Sequence, residues 1–150
     1  MGKLKEKYYL AAQAEYVKML SRFAQVEIIE VADEPLAGVK SDAGEQAVLN
    51  AEAQRILPHM MGYVIVCDVL GQQKCSEEFA EYLKGRMVQG EGAITFVIGG
   101  SIGIAEDIKK KAMLRLSVSC MTMPHRLFRI VLLEQVYRAF KIINNETYHK

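Results

Sequence analysis

The sequence predicts an α/β protein whose sheet is mostly parallel and carries helices on both faces. Two nearly continuous apolar runs, residues 63–69 and 93–98, are typical of strands covered on both faces. Helical patterns separate the strand candidates, and this alternation is characteristic of α/β folds. The length of 150 residues suits a single domain.

The first part of the chain alternates helix and strand candidates. Apolar residues at helical spacing predict a helix over residues 5–20, and a β-branched run predicts a short strand over 26–31. A stretch containing glycine and proline follows and is expected to be a loop. Ser41 or Asp42 is placed to cap the next helix, over residues 43–57.

The rest of the chain repeats a strand-then-helix pattern. Two of its helices are expected to begin with acidic residues, which the helix dipole favours at that end. The predicted elements are strands over 63–69, 93–98 and 116–121 and helices over 76–88, 105–113 and 126–143.

Composition narrows the possible functions. Charged residues make up 25% and the net charge is +1, so the whole molecule is not an obvious nucleic-acid binder. The last 50 residues carry 9 basic and 4 acidic residues, which either marks an anionic partner or reflects solvated helix faces. There is no apolar run of about 20 residues, no signal peptide and no paired cysteine motif, so we expect a cytoplasmic protein without a metal site.

Candidate functional residues follow the predicted strands, where ligands bind in parallel α/β sheets. Residues 99–103 form a glycine-rich turn, but they match neither a Walker loop nor a dinucleotide fingerprint. The turn is therefore either a plain connection or a ligand site. His125 is either a structural or capping residue or a catalytic one, and the polar end 148–150 is either a disordered terminus or a functional segment. Spacing alone therefore assigns no chemistry.

Several segments, taken together, resemble one enzyme family. They are the glycine loop with its strand (96–103), the stretch 116–125, the helical stretch 134–142, the terminal Tyr148-His149-Lys150, and the early Gly2-Lys3-Leu4-Lys5. The chain resembles the RlmH family over essentially its whole length. Members of this family are SPOUT-class methyltransferases that modify pseudouridine at N3 in large-subunit ribosomal RNA.

The resemblance implies a C-terminal trefoil knot within a single SPOUT domain over residues 1–150, and a homodimer that uses S-adenosylmethionine. It implies that the substrate is ribosomal RNA, within the assembled ribosome. No membrane or metal is implied. The cofactor contacts carried over by position are Cys67, Gly99, Val118, Ser119, Cys120, Met121, Thr122 and Met123.

The resemblance also suggests catalytic residues near the end of the chain. His149 with Tyr148 is expected near the target base, with Arg138 and His125 as second choices for base or phosphate contacts. The family begins with an apolar strand before the Gly-Lys-Leu-Lys motif, and that strand is expected to be missing here. Two rival functions are an RNA- or ribosome-binding factor without catalysis on the same fold, and an α/β enzyme that binds a nucleotide at the glycine loop.

Overall fold

The structure, a computed structural model, describes residues 2–148, and its contacts divide the chain into two compact units. The sheet unit comprises residues 2–3, Ile29–Gln73 and Ala93–His125. The helical unit comprises Leu4–Ile28, Lys74–Gly92 and residues 126–148. In this described part of the chain, no helix is both long and apolar enough to cross a membrane.

Helices and strands alternate through most of the chain. In chain order the elements are α1 (Lys7–Leu20), α2 (Asp42–Ile56), a short 3-10 helix (Leu57–His59), β1 (Tyr63–Gln73), α3 (Ser76–Val88), β2 (Ile94–Ile98), α4 (Glu106–Lys111), β3 (Leu114–Ser117) and α5 (His125–Ile143).

The three strands form a parallel sheet in the order β2-β1-β3, which confirms the predicted α/β class with a parallel sheet. The central strand β1 is buried along its first half. Val64 and Val66 are at most 5% exposed and pack in one cluster with Ile56 of α2 and Ile108 of α4. Ile65, on the opposite face of the strand, is fully buried. Cover on both faces explains why this run is continuously apolar.

The strand predicted over residues 26–31 is wrong, because the described residues contain only the three strands named above. The run has no regular secondary structure, and the Val31 carbonyl accepts a hydrogen bond from the Gly2 amide at 3.0 Å. No ladder with a neighbouring strand forms. β-branched residues favour extended backbone, but a strand also requires a partner in register.

The third predicted strand, over residues 116–121, is shifted, since β3 ends at Ser117. The hydroxyl of Ser117 donates to the Ser119 carbonyl, and the Ser119 hydroxyl accepts from the Met121 amide, both at 3.0 Å. Such local side-chain bonds offer the backbone an alternative to a sheet ladder. They turn the chain into a loop where the apolar pattern had predicted continued pairing.

The helical unit is held by aromatic packing between α1, the turn after it and α5. Leu20, Tyr137 and Phe140 form its buried cluster, and the Phe23 ring stacks on Phe140 with centroids 5.5 Å apart. Helix α3 begins at Ser76, as predicted. Its cap is Cys75, whose Sγ accepts from the Glu78 amide while the Glu78 carboxylate accepts from the Cys75 amide.

A bulge interrupts β1 where it passes β3. Cys67 and Gln72 both pair with Leu116, so the residues between them leave the ladder. At the start of the bulge, Asp68 accepts hydrogen bonds from the Leu70 amide at 3.1 Å and from the Arg115 guanidinium at 2.6 and 3.1 Å. Lys109 of α4 adds an ion pair at 3.8 Å. One carboxylate thus links β1, β3 and α4.

These contacts determine how Asp68 ionises. Burial by itself would raise the pKa of Asp68. The Leu70 amide, the Arg115 guanidinium and Lys109 together lower the pKa by more than burial raises it, so the net pKa lies below its ordinary value. A carboxylate whose pKa is lowered in the folded state stabilises the fold at pH values above the pKa that the group has in the unfolded chain. That stabilisation is lost as the pH falls through the folded pKa.

We predict that Asp68→Asn lowers the free energy of unfolding near pH 7 by about 1–2 kcal/mol, the range of hydrogen bonds to a charged group discounted for the exposed Arg115. Urea unfolding measured from pH 7 down to about pH 3 should show the gap from wild type closing below about pH 4. The matched control is Asp107→Asn, at an exposed carboxylate that pairs only with Lys110 at 3.8 Å. A gap that is absent at pH 7, or that stays constant with pH, would contradict the role of the Asp68 charge.

Candidate functional site

The candidate cofactor residues lie at one edge of the sheet, on the carboxyl side of the three strands. Cys67 in β1 pairs with Ile98 in β2 and with Leu116 in β3. Gly99 comes directly after Ile98, and residues 118–123 follow the end of β3. Since the strands are parallel, the loop that begins at Gly99 and the loop of residues 118–123 leave the sheet on the same side as the end of the apolar run of β1. The structure therefore brings all eight predicted cofactor residues to the sheet unit's carboxyl edge.

The glycine loop, residues 99–103, is a tight turn. Gly100 and Gly103 form an isolated antiparallel bridge, and the Gly103 amide donates to the Gly100 carbonyl at 3.3 Å. A side chain at Gly99 would collide with the Gly103 carbonyl and would lie 2.5 Å from Ile104 Cγ1. Gly103 has φ +97°, which side chains rarely adopt, and open space beside its Cα. The loop thus requires glycine for its own shape and leaves its Gly103 side accessible.

The second loop, residues 118–123, presents mostly exposed chain. Cys120, Met121 and Thr122 are exposed, and Met121 retains 76% of its accessible surface. The base of the loop is fixed by the buried Ser117, and its tip is tied to β1 because Gln73 Nε2 donates to Cys120 Sγ at 2.8 Å. A fixed loop that is partly exposed to solvent can offer main-chain donors and acceptors to a ligand.

The three cysteines differ in their chemistry. Burial raises the pKa of the Cys67 thiol to about 12, so this thiol is neutral near pH 7 and is a poor nucleophile. Cys75 and Cys120 are exposed. No group of three metal-ligating side chains occurs within residues 2–148.

Two of the predicted catalytic residues, Arg138 and Tyr148, meet in the helical unit. The Arg138 guanidinium lies over the Tyr148 ring, 4.4 Å from its centroid, and also donates to Glu134 at 2.7 and 3.0 Å. Burial, followed by the Glu134 carboxylate, raises the pKa of Tyr148 to about 12. The Tyr148 phenol is therefore a proton donor near pH 7 and not a base. His149, the first choice for catalysis, lies outside the described residues.

His125, a second-choice residue, is the first residue of α5 and belongs to the sheet unit. Arg138 and Tyr148 belong to the helical unit.

Two polar residues that were not among the predicted site residues support the loops. Asp68 joins the end of β1 to β3 and α4, as described above. Glu52 of α2 is 5% exposed and lies against Gly100. A signal for Glu52 was present, because it is an acidic residue on a helix face otherwise formed by Val48, Ala53 and Ile56.

Comparison with known proteins gives matches over almost the whole chain. The family model described as "Predicted SPOUT methyltransferase" matches residues 1–149. The chain is 49% identical to the ribosomal RNA large subunit methyltransferase H of Ruminiclostridium cellulolyticum and 47% identical to the protein of the same name from Listeria monocytogenes. It is 45% identical to a protein of Methanococcus maripaludis named putative ribosomal RNA large subunit methyltransferase H. Each alignment covers 100% of this chain and 96% of the relative.

A family match over nearly the whole length, together with close relatives that align from end to end, confirms the resemblance noted in the sequence: this chain belongs to the SPOUT methyltransferase family.

Proposed function

We propose that this protein transfers a methyl group from S-adenosylmethionine to N3 of a pseudouridine in large-subunit ribosomal RNA. The chain is a methyltransferase by family, and its relatives' names specify large-subunit ribosomal RNA. The structural observation that carries the proposal is the meeting of three strand ends at one edge. It puts Cys67, Gly99 and the 118–123 loop where parallel sheets bind ligands.

The residues at this edge fit S-adenosylmethionine. The glycine loop has no Lys-Ser/Thr continuation for phosphates, and this donor carries no phosphate. The partly exposed loop of residues 118–123 offers main-chain groups for its polar atoms. The buried carboxylate of Glu52, which lies against Gly100, adds negative charge that suits a cationic ligand, whereas the Asp68 carboxylate is already paired with Arg115 and Lys109. When bound, the donor supplies an electrophilic methyl group.

The protein's part in the reaction is alignment and proton removal. The imide nitrogen of pseudouridine carries a proton at neutral pH, so its attack on the methyl group requires a base. We assign that role to His149, whose ordinary pKa is near 6.5. Tyr148 is protonated and packs between Arg138 and Tyr137, so it holds the chain just before His149. Its phenol can donate a hydrogen bond to the target nucleobase or to another part of the RNA. Arg138 supplies positive charge for the same end of the chain.

The family resemblance extends the proposal to fold and assembly. We propose a single SPOUT domain over residues 1–150 with a C-terminal trefoil knot, acting as a homodimer on the assembled ribosome in the cytoplasm. A substrate of that size supplies binding energy through shape and through the doubled surface of a dimer, which suits a chain with a net charge of only +1.

The reaction is tested with ribosomes that lack the modification and S-adenosylmethionine labelled in its methyl group. We predict transfer to large-subunit RNA, with the label recovered as N3-methylpseudouridine by mass spectrometry of nucleosides. Gly99→Val should abolish transfer because its side chain collides with the Gly103 carbonyl. Gly92→Ala, which meets nothing within 4 Å, is the control and should retain it. Ribosome binding without any transfer would instead support the non-catalytic rival.

The base is tested by His149→Ala. We predict a fall in the rate of transfer of about 100-fold, the lower end for loss of a general base, with unchanged affinity for S-adenosylmethionine. The control is His59→Ala, an exposed histidine of the 3-10 helix. A fall of less than about threefold for His149→Ala would remove His149 from the catalytic role.

The placement of the cofactor is tested by thiol alkylation with iodoacetamide near pH 8. We predict that S-adenosylmethionine at ten times its dissociation constant slows modification of Cys120 about tenfold, because only the free protein reacts. Cys75, exposed at the cap of α3, is the internal control and should react at the same rate with and without ligand. Equal reactivity of Cys120 under saturation would contradict its place at the cofactor.

A further inference from the structure

Glu52 is an unusual residue for its position in α2. It is 5% exposed, and it shares its face of the helix with the buried Val48, Ala53 and Ile56. Taking a carboxylate out of water costs free energy unless hydrogen bonds or charges compensate. A glutamate at such a place therefore calls for a reason that an apolar residue could not satisfy.

The carboxylate of Glu52 contacts two separate segments of the sheet unit. Its Oε1 accepts a hydrogen bond from the Glu34 amide at 3.1 Å. Both of its oxygens also lie over Gly100 of the glycine loop. A Cβ at Gly100 would be 3.1 Å from Oε2 and 3.2 Å from Oε1, closer than ordinary contact. A side chain at Gly100 would therefore require the carboxylate to give way by a few tenths of an ångström.

A neighbouring residue of α2 holds the first of these segments independently. Arg55, one turn after Glu52, forms an ion pair with the Glu34 carboxylate and donates to the Ala32 carbonyl at 3.2 Å. Segment 32–34 is therefore tied to α2 at more than one point. The contact with the glycine loop is what distinguishes Glu52 from Arg55.

We propose that Glu52 is a positioning residue for the cofactor site: its buried carboxylate packs against Gly100 and holds the glycine loop in its binding conformation. The inference rests on the proposed function in one respect, namely that residues 99–103 contact S-adenosylmethionine. A loop held in its bound shape before the ligand arrives loses less entropy on binding. Glu52 acts through the loop and is not itself assigned a contact with the ligand.

The test is a double-mutant cycle between Glu52→Ala and Gly100→Ala, read out by calorimetric affinity for S-adenosylmethionine. Each single change should weaken binding about tenfold, within the range for residues in direct contact. In the Glu52→Ala background, where the space beside Gly100 is open, the further cost of Gly100→Ala should be less than about threefold. Equal costs of Gly100→Ala in both backgrounds, or an unchanged affinity for Glu52→Ala, would overturn the proposal.

A matched control separates the loop from segment 32–34. Glu34→Gln removes the ion pair with Arg55 but keeps the Glu34 amide that bonds Glu52. Combined with Gly100→Ala, it should be additive within about twofold. If Glu52→Ala proves unfolded by its thermal transition, Glu52→Asp, which keeps the charge but is one methylene shorter and so draws the carboxylate away from Gly100, takes its place in the same cycle.

Amide hydrogen exchange gives a readout that does not depend on the ligand. Peptides covering residues 99–103 should exchange faster in Glu52→Ala than in wild type, at an unchanged global unfolding transition, and no faster in Glu34→Gln. If wild type fails to bind S-adenosylmethionine, the proposed function fails while exchange still tests the loop contact. If wild type binds and the loop exchanges equally in all three proteins, the positioning role of Glu52 fails alone.

Discussion

The parallel pairing of β1 with β2 on one side and β3 on the other is the constraint on which the site depends. Cys67 pairs with both Ile98 and Leu116, so the ladder itself determines which loops emerge side by side. Parallel strands need long crossover connections, and within the sheet unit α2 and α4 pack their apolar residues against the central strand. The same backbone bonds that build the core of the sheet unit therefore also bring the two loops to one edge.

Polar groups at this edge support loops that have few apolar contacts of their own. Asp68 holds the bulged end of β1 against Arg115, and Glu52 lies against Gly100. Both carboxylates are largely buried, and burial of a charge is unfavourable without compensating bonds. Their presence is understandable if the geometry of the loops, more than the free energy of unfolding, is what the protein requires. Short loops with exposed backbone then remain ordered enough to bind a ligand through main-chain groups.

Much of the fold could be predicted from residue patterns, and the limits have physical causes. The apolar runs ending near Val69 and Ile98 identified β1 and β2, because strands covered on both faces leave a local signature. Residues 26–31 are rich in β-branched residues, yet they belong to none of the strands in the described part of the chain, because pairing is not a local property. The loop after Ser117 was not predicted, because the hydroxyl groups of Ser117 and Ser119 turn the chain there through hydrogen bonds to the backbone, and the apolar pattern carries no signal of such bonds. The site residues were predicted from family resemblance. The contacts of Glu52 with Glu34 and Gly100 could be seen only in the structure, because these residues are distant from Glu52 in sequence.

The central claim, that the carboxyl edge of the sheet binds S-adenosylmethionine, is tested most directly by nuclear magnetic resonance, which suits a chain of 16.9 kDa. Backbone amide signals of ¹⁵N-labelled protein would be followed during titration with the ligand. We predict saturable shifts concentrated at Cys67, in residues 99–103 and in residues 118–123, with affinity in the micromolar range, about −8 kcal/mol. Saturable shifts centred on another surface, or none in a folded sample, would contradict the claim.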